Sequence, residues 1–253
     1  MTAFHFFASE TPTAQAARAE LSALYGDVPP EKADVIVVLG GDGTMLAALH
    51  QFRTLGRPLY GMNRGHVGFL MNPYAADDLP ARLKKAGAIP LHPLYMTAQD
   101  RSGQVRTGYA FNEVTAYRTS RQSVRLKIDI GGVTRLAEYA GDGVLVATPA
   151  GSTAYNLSAR GPIIPMNAAA LALTPISPFR PRAWRGALLP QDAHVTIENL
   201  DPIARPMNAS ADFTEVRDAV RIEVVQDTSA PVEVLFNPDH HLDERIFNEQ
   251  FRG

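Results

Sequence analysis

Residues 35–50 read VIVVLGGDGTMLAALH. Val35-Ile36-Val37-Val38-Leu39 is a near-continuous β-branched run. That is the pattern of a parallel strand covered on both faces. It runs directly into Gly40-Gly41-Asp42-Gly43-Thr44, after which apolar residues resume at helical spacing. Glycine permits positive φ and lets backbone approach a ligand closely. A turn of this kind falls at the carboxyl end of a parallel sheet, where open α/β folds bind ligands. The helix that starts near Thr44 adds free N–H groups and partial positive charge, so the turn predicts a phosphate seat. Asp42 does not fit a simple phosphate seat, because a carboxylate beside phosphates is repelled. It fits if it takes a proton from an attacking hydroxyl or helps to hold Mg²⁺. The turn therefore points to phosphoryl transfer, against the plainer reading of an Asp-Gly turn between strand and helix.

Two common nucleotide loops are excluded. A dinucleotide fingerprint needs G-x-G-x-x-G, but Gly41-Asp42-Gly43 is followed by Thr44, Met45 and Leu46. A Walker A loop needs Gly-Lys, and the chain has no such pair.

Around this turn the first third alternates strand and helix signals. Residues 4–8 predict a strand. Thr11-Pro12 supplies an N-cap and a first-position proline for a helix closed by Gly26. A helix is expected over 44–55, a strand over 58–62 and a further helix over 76–85. From about 91 the pattern changes to short β-type runs at 111–117, 124–130, 134–139, 144–148, 194–197, 220–225 and 232–236. Gly131-Gly132 marks a tight hairpin. One helix is expected to start near Thr153. The tail, 239–252, is helical in pattern and is expected to return to the first domain, since a lone helix of that length is marginal in water. The expected fold is thus an α/β domain with a mostly parallel sheet, residues 1–90 plus 239–253, and an all-β domain of two antiparallel layers, residues 91–238.

Composition narrows the function classes. The chain has 253 residues, 24 Lys plus Arg against 26 Asp plus Glu, and no cysteine. A net charge of −2 gives no footprint for nucleic acid or an anionic membrane. Disulfide and thiolate chemistry are excluded. The N-terminal residues lack a signal-peptide pattern and no run reaches the length of a membrane span, so a cytoplasmic location is expected. The histidines lack ligand spacing, and no fixed metal site in the protein is expected.

A second segment, 141–156, reads GDGVLVATPAGSTAYN. Small residues allow close approach, hydroxyls fix donors and acceptors, and Tyr155 can stack on a ring. Asn112-Glu113 adds an amide and a carboxylate, a pair suited to a base and to vicinal ribose hydroxyls. Each has a plainer reading: Asp142 ends a turn, Ser152 and Thr153 cap a helix, Tyr155 is core, and Asn112 satisfies strand-edge backbone. Ser152 is no hydrolase nucleophile, since the G-x-S-x-G elbow is absent.

Taken in order, GGDGT at 40–44, Asn112-Glu113 and GDGVLVATPAGSTAYNLSARGPIIP at 141–165 resemble the NAD kinase family. GGDGT alone is shared with diacylglycerol kinases, sphingosine kinases and phosphofructokinases; the long TPAGSTAY segment is not. NRGHVGFL at 63–70 also resembles the family's loop after its third strand. The likeness covers about 35–180 and implies transfer of a phosphoryl group from ATP, or polyphosphate, to the 2′-hydroxyl of the adenosine ribose of NAD, with Mg²⁺ or another divalent metal accompanying ATP.

Carried over by position, the resemblance implies Asp42 as proton acceptor. Gly40, Gly41, Gly43 and Thr44 seat phosphates. Gly43, Asn112, Glu113, Asp142, Ala150, Thr153, Ala154, Tyr155 and Ser158 line the NAD site. It also implies a homodimer or homotetramer. Two positions depart from the family: Phe213 stands where a glycine is expected in the turn at Asp212, and Phe179 follows Ile176-Ser177-Pro178 where a histidine is common. The alternatives are a lipid kinase sharing the GGDGT turn and a non-catalytic NAD-binding regulator.

Overall fold

A computed structural model describes residues 2–65 and 68–238. The tail helix expected over 239–252 lies outside the described residues. The chain divides into two compact units: one runs to Leu91 and resumes at Ala230, and the other spans His92–Ser229.

In the first unit, strands β1 (Phe4–Ala8), β2 (Val35–Gly40), β3 (Leu59–Asn63) and β4 (Gly87–Leu91) alternate with helices α1 (Pro12–Tyr25), α2 (Asp42–Phe52) and α3 (Leu79–Lys85). The second unit holds β5 (Leu94–Asp100), β6 (Val105–Ala110), β7 (Glu113–Arg118), β8 (Val124–Ile130), β9 (Val133–Gly141) and β10 (Gly143–Ala147). A short helix α4 (Tyr155–Ser158) follows, then β11 (Ala170–Ile176), β12 (Ala187–Pro190), β13 (Val195–Asn199), β14 (Met207–Ala211), β15 (Thr214–Val216) and β16 (Ala219–Gln226). The last strand, β17 (Val232–Phe236), belongs to the first unit.

The first sheet has the order β1-β2-β3-β17-β4. All its pairings are parallel except β17 with β4. Every residue of β2 is buried, as its β-branched run requires. Each such fully buried aliphatic side chain contributes about 1.5–3 kcal/mol. Thr11 caps α1 through its side-chain oxygen, which accepts from the Ala14 amide, and Gly26 closes the helix at φ 77°. The sequence pattern left 232–236 with the β-rich domain. The strand instead pairs with β3 and β4, because its partners are chosen by tertiary contact and not by its own composition.

The second unit packs two six-stranded sheets, β12-β11-β10-β7-β14-β15 and β6-β5-β16-β13-β8-β9, with every pairing antiparallel. Their facing side chains, Val114, Val144 and Val146 from one and Leu126, Ile197 and Ile222 from the other, form one core. Strands β5 and β8 alternate buried and half-buried residues, the pattern of a sheet covered on one face. Gly131 and Gly132 both have positive φ, 59° and 77°, which suits the two-residue turn joining β8 to β9. Strand β10 is buried on both faces. Its other face, Leu145 and Ala147, packs with Ile164 and Ala172, so chain after the strand folds back over the sheet.

Candidate functional site

The sequence-predicted residues fall into two groups, one in each unit. In the first unit, α2 begins at Asp42 with Gly41 as its N-cap, two residues earlier than the pattern indicates. Propensity assigns Gly-Asp-Gly to a loop, but the Gly41 carbonyl already accepts from the Thr44 and Met45 amides at 2.9 and 3.1 Å. The Asp42 and Gly43 amides precede the first of these bonds and have no acceptor one turn back within α2.

Glycine is required at position 40 for contact: a Cβ there would lie 2.2 Å from the Thr44 hydroxyl oxygen. Gly43 is different. It is exposed, and a Cβ would meet nothing within 4 Å, so open space lies over that backbone.

Asp42 is half-buried and its carboxylate is clamped. Oδ2 accepts the Phe69 amide at 2.7 Å and Oδ1 accepts the Leu70 amide at 3.0 Å. Gly68 makes room for this, since a Cβ at that position would stand 2.3 Å from Oδ1. Asn72, fully buried, pins the same segment. Its amide donates to the carbonyls of Gly61 and Leu235, both at 3.0 Å, and its oxygen accepts the Asn237 amide at 2.8 Å. Sequence reasoning noticed the 63–70 stretch by resemblance but did not join it to Asp42. Nothing local encodes a bond 27 residues along the chain.

The second unit brings its group together on the sheet that contains β7 and β10. Asn112 and Glu113 lie at the start of β7, and Glu113 faces Ala147 across the ladder. The Thr148 hydroxyl donates to the Phe111 carbonyl at 2.6 Å and accepts the Gly151 amide at 3.0 Å. The Thr148 amide reaches the Asn112 carbonyl at 3.0 Å. Gly151 approaches so closely that a Cβ would lie 2.1 Å from the Asn112 carbonyl oxygen. Ala150 and Thr153 therefore sit in a 3₁₀ helix, Ala150–Thr153, stitched to the Asn112 turn.

Ala154 precedes α4, which carries Tyr155 and Ser158, and Tyr155 is 43% exposed. Burial first, then the charges of Asp142 and Glu113, push the Tyr155 hydroxyl pKa up. A cavity of about 440 Å³ opens beside Tyr155 and Ser158, with Trp184 and Arg185 also in its wall.

Ser152 is wholly buried and structural: its hydroxyl donates to the Pro149 carbonyl at 2.6 Å and accepts the Ile164 amide at 3.0 Å. Asn156 is buried too, donating to the Ser152 and Pro162 carbonyls and accepting the Thr174 hydroxyl.

Asp142, between β9 and β10, pairs with Arg118 at 2.5 Å. The flanking glycines are packing residues. A Cβ at 141 would strike the Tyr139 hydroxyl and one at 143 the Ala116 carbonyl, each at 2.1 Å. Arg118 escaped sequence reasoning, since a lone arginine on a strand carries no signal of its own.

Glu113 is largely buried, and its Oε2 has no hydrogen-bond partner among the described residues. Burial first, then the Asp212 charge, raises its pKa to about 7. Among the described residues no three His, Asp or Glu side chains converge as a metal cage, and no helix is long and apolar enough to cross a membrane.

Residues 6–86 match the model of the ATP-NAD kinase N-terminal domain and residues 111–228 that of the C-terminal domain. An NAD kinase of Xylella fastidiosa (strain 9a5c) is 52% identical over 246 residues, covering 97% of this chain and 95% of that one. An NAD kinase of Caulobacter vibrioides is 52% identical over 251 residues, covering 99% and 96%. In fold, the chain is similar to yeast NADH kinase solved with NADH, at a TM-score of 0.85 and 22% identity over 100% of this chain and 89% of that one. It is also similar to an Archaeoglobus fulgidus NAD kinase solved with ATP, at a TM-score of 0.75 and 23% identity over 98% of both. With both family domains matched in order and half of its residues shared with full-length relatives, this chain belongs to the NAD kinase family.

Proposed function

We propose that Asp42 is the proton acceptor in transfer of a phosphoryl group from ATP to the 2′-hydroxyl of the adenosine ribose of NAD, giving NADP. The observation that carries this reading is the clamped carboxylate at the start of α2, oriented by the Phe69 and Leu70 amides and bordered by the open backbone of Gly43. The carboxylate takes the hydroxyl proton. The sugar oxygen bonds to the γ-phosphorus while the bond to the β–γ bridging oxygen breaks, and ADP leaves with that electron pair. Gly40, Gly41, Gly43 and Thr44 supply the phosphate seat, consistent with a helix N-terminus that opens on the glycine turn.

In the second unit, Asn112 and Glu113 hold the base and sugar, Tyr155 stacks on a ring, and Ala150, Thr153, Ala154 and Ser158 line the dinucleotide. Asp142, fixed by Arg118, faces the nicotinamide end. The stitched hydrogen bonds among 111–113 and 148–153 support this grouping. A divalent ion accompanying ATP would neutralise charge on its phosphates. Both Asp42 oxygens are already engaged by amides, which fits a metal carried by substrate better than one held by this side chain.

Polyphosphate as a second donor, a cytoplasmic location and a homodimer or homotetramer complete the reading. Light scattering tests the assembly. A lipid acceptor is not favoured, given relatives named as NAD kinases that match nearly the whole chain. The deciding assay is NADP formation from NAD with ATP and Mg²⁺, and separately with polyphosphate. NADP with ATP supports the proposal, and its absence with both donors contradicts it.

A further inference from the structure

The turn between β14 and β15 departs from the family pattern at Phe213, and its backbone shows why the departure is tolerated. Asp212 holds the left-handed position, φ 43°, whereas Phe213 does not have positive φ. Aspartate is among the few non-glycine residues that adopt this conformation routinely. A phenylalanine at 213 therefore meets no backbone demand for glycine.

The Asp212 side chain points into a concavity of consecutive amides. Its Oδ2 accepts from Phe111 at 2.7 Å, its two oxygens accept from Asn112 at 3.3 and 3.4 Å, and Oδ1 accepts from Glu113 at 3.4 Å. The Asp212 amide answers with a bond to the Glu113 carbonyl at 3.5 Å. Successive amides converging on one anion form a nest, normally a ligand-binding shape. Here a carboxylate of the chain itself, about 100 residues away in sequence, fills it. The longer three contacts are individually weak, but charge-assisted bonds to one carboxylate act together.

We propose that Asp212 is a positioning residue for NAD: its carboxylate fixes the turn that presents Asn112 and Glu113, and its charge stands beside the Glu113 carboxyl. The proposal rests on the reading that Asn112 and Glu113 contact NAD. Among the described residues, two titratable groups face Glu113, Asp212 from the β14–β15 turn and Tyr155 from α4. Glu113 Oε2 is buried without a partner among the described residues, a state that favours the neutral acid until a ligand donor arrives. Burial and the Asp212 charge place the Glu113 pKa at about 7. Ionised Glu113 accepts two ribose hydroxyls better than the neutral acid does, so KM for NAD falls as pH rises through that value. Removing the Asp212 charge makes Glu113 the stronger acid and moves this transition to lower pH.

The test compares KM and kcat for NAD, at saturating ATP and Mg²⁺, between wild type and Asp212→Asn from about pH 5.5 to 8.5. The expected result is a KM about tenfold higher at neutral pH, a kcat changed less than about threefold, and a KM transition displaced to lower pH. A purely structural role lowers yield or stability but leaves the midpoint of the transition in place. An unmoved midpoint, or an unchanged KM, overturns the proposal. Absence of NADP from wild type overturns the NAD kinase reading instead, so the two failures are distinct. If Asp212→Asn gives no cooperative melting transition, Glu113→Gln carries the test. Its KM is then independent of pH across the range where the wild-type KM falls, and a wild-type KM that stays flat contradicts the proposal.

Discussion

Oδ2 of Asp42 lies 2.7 Å from the amide nitrogen of Phe69. With Oδ1 bonded to Leu70, both carboxylate oxygens are oriented by the backbone of one segment. A general base works only when its oxygen sits within hydrogen-bond reach of the proton it removes. The clamp fixes that geometry before substrate arrives and leaves further lone pairs on each oxygen for the acceptor hydroxyl.

The clamp depends on a missing side chain. An added Cβ at Gly68 would be 2.3 Å from Oδ1 and 2.7 Å from Cγ of Asp42, far inside contact distance. In Gly68→Ala the carboxylate or the segment must shift. Displacement on the ångström scale costs on the order of 100-fold in a positioned reaction. Steady-state kinetics should show kcat lowered by about 10- to 100-fold with KM for NAD much less affected. Turnover within twofold of wild type would show that the clamp is not needed.

Gly151 is the corresponding close approach in the second unit. Its added Cβ would meet the Asn112 carbonyl oxygen at 2.1 Å, and backbone cannot swing aside as a side chain can. Overpacking of this kind costs about 1–3 kcal/mol. Gly151→Ala is therefore expected to lower Tm by roughly 3–10 °C and to raise KM for NAD, because the Asn112 turn moves with it. Thermal melts and kinetics check the pair of effects; an unchanged Tm contradicts the packing account.

Glu113 makes stability depend on pH in a definite direction. Its pKa is raised from the reference value of 4.5 to about 7 in the fold, by burial and then by Asp212. Between those values the folded chain binds the proton that the unfolded chain has released, so unfolding free energy falls as pH rises. The stabilising contribution is fully present below about 4.5 and lost by the time pH passes about 7, at most about 3 kcal/mol. Glu113→Gln has no such proton to lose. Its Tm relative to wild type should climb by several degrees between pH 5 and pH 8, at roughly 2–4 °C per kcal/mol. A difference in Tm that stays constant with pH would remove Glu113 as the source.

Local signals in the sequence carried the first unit well. Thr11-Pro12 and Gly26 bracket α1 because a cap and a terminating glycine act within one turn of the helix they bound. The β-branched run of β2 and the Gly131-Gly132 hairpin are equally local. What the sequence hid is set by contacts far along the chain. Val232–Phe236 is plainly a strand, but nothing in VEVLF says that it crosses back to lie between β3 and β4. Strand β11, ALALTPI, escaped notice because burial on both faces removes alternation and its alanines and proline depress β-propensity. Asp42 stood out by its glycine frame, whereas Phe69 and Leu70 act through backbone amides, which no side-chain pattern marks. Asp212 was obscured by its neighbour: Phe213 broke a motif whose glycine this backbone does not require.

The most direct test is NADP formation by Asp42→Asn, measured alongside NAD binding by calorimetry. The asparagine keeps the size of the side chain and an acceptor oxygen but cannot take the hydroxyl proton. The account predicts kcat reduced by about 10²–10⁴-fold with the NAD Kd within about threefold of wild type. Near-wild-type turnover by this variant would contradict the assignment of Asp42 as the base.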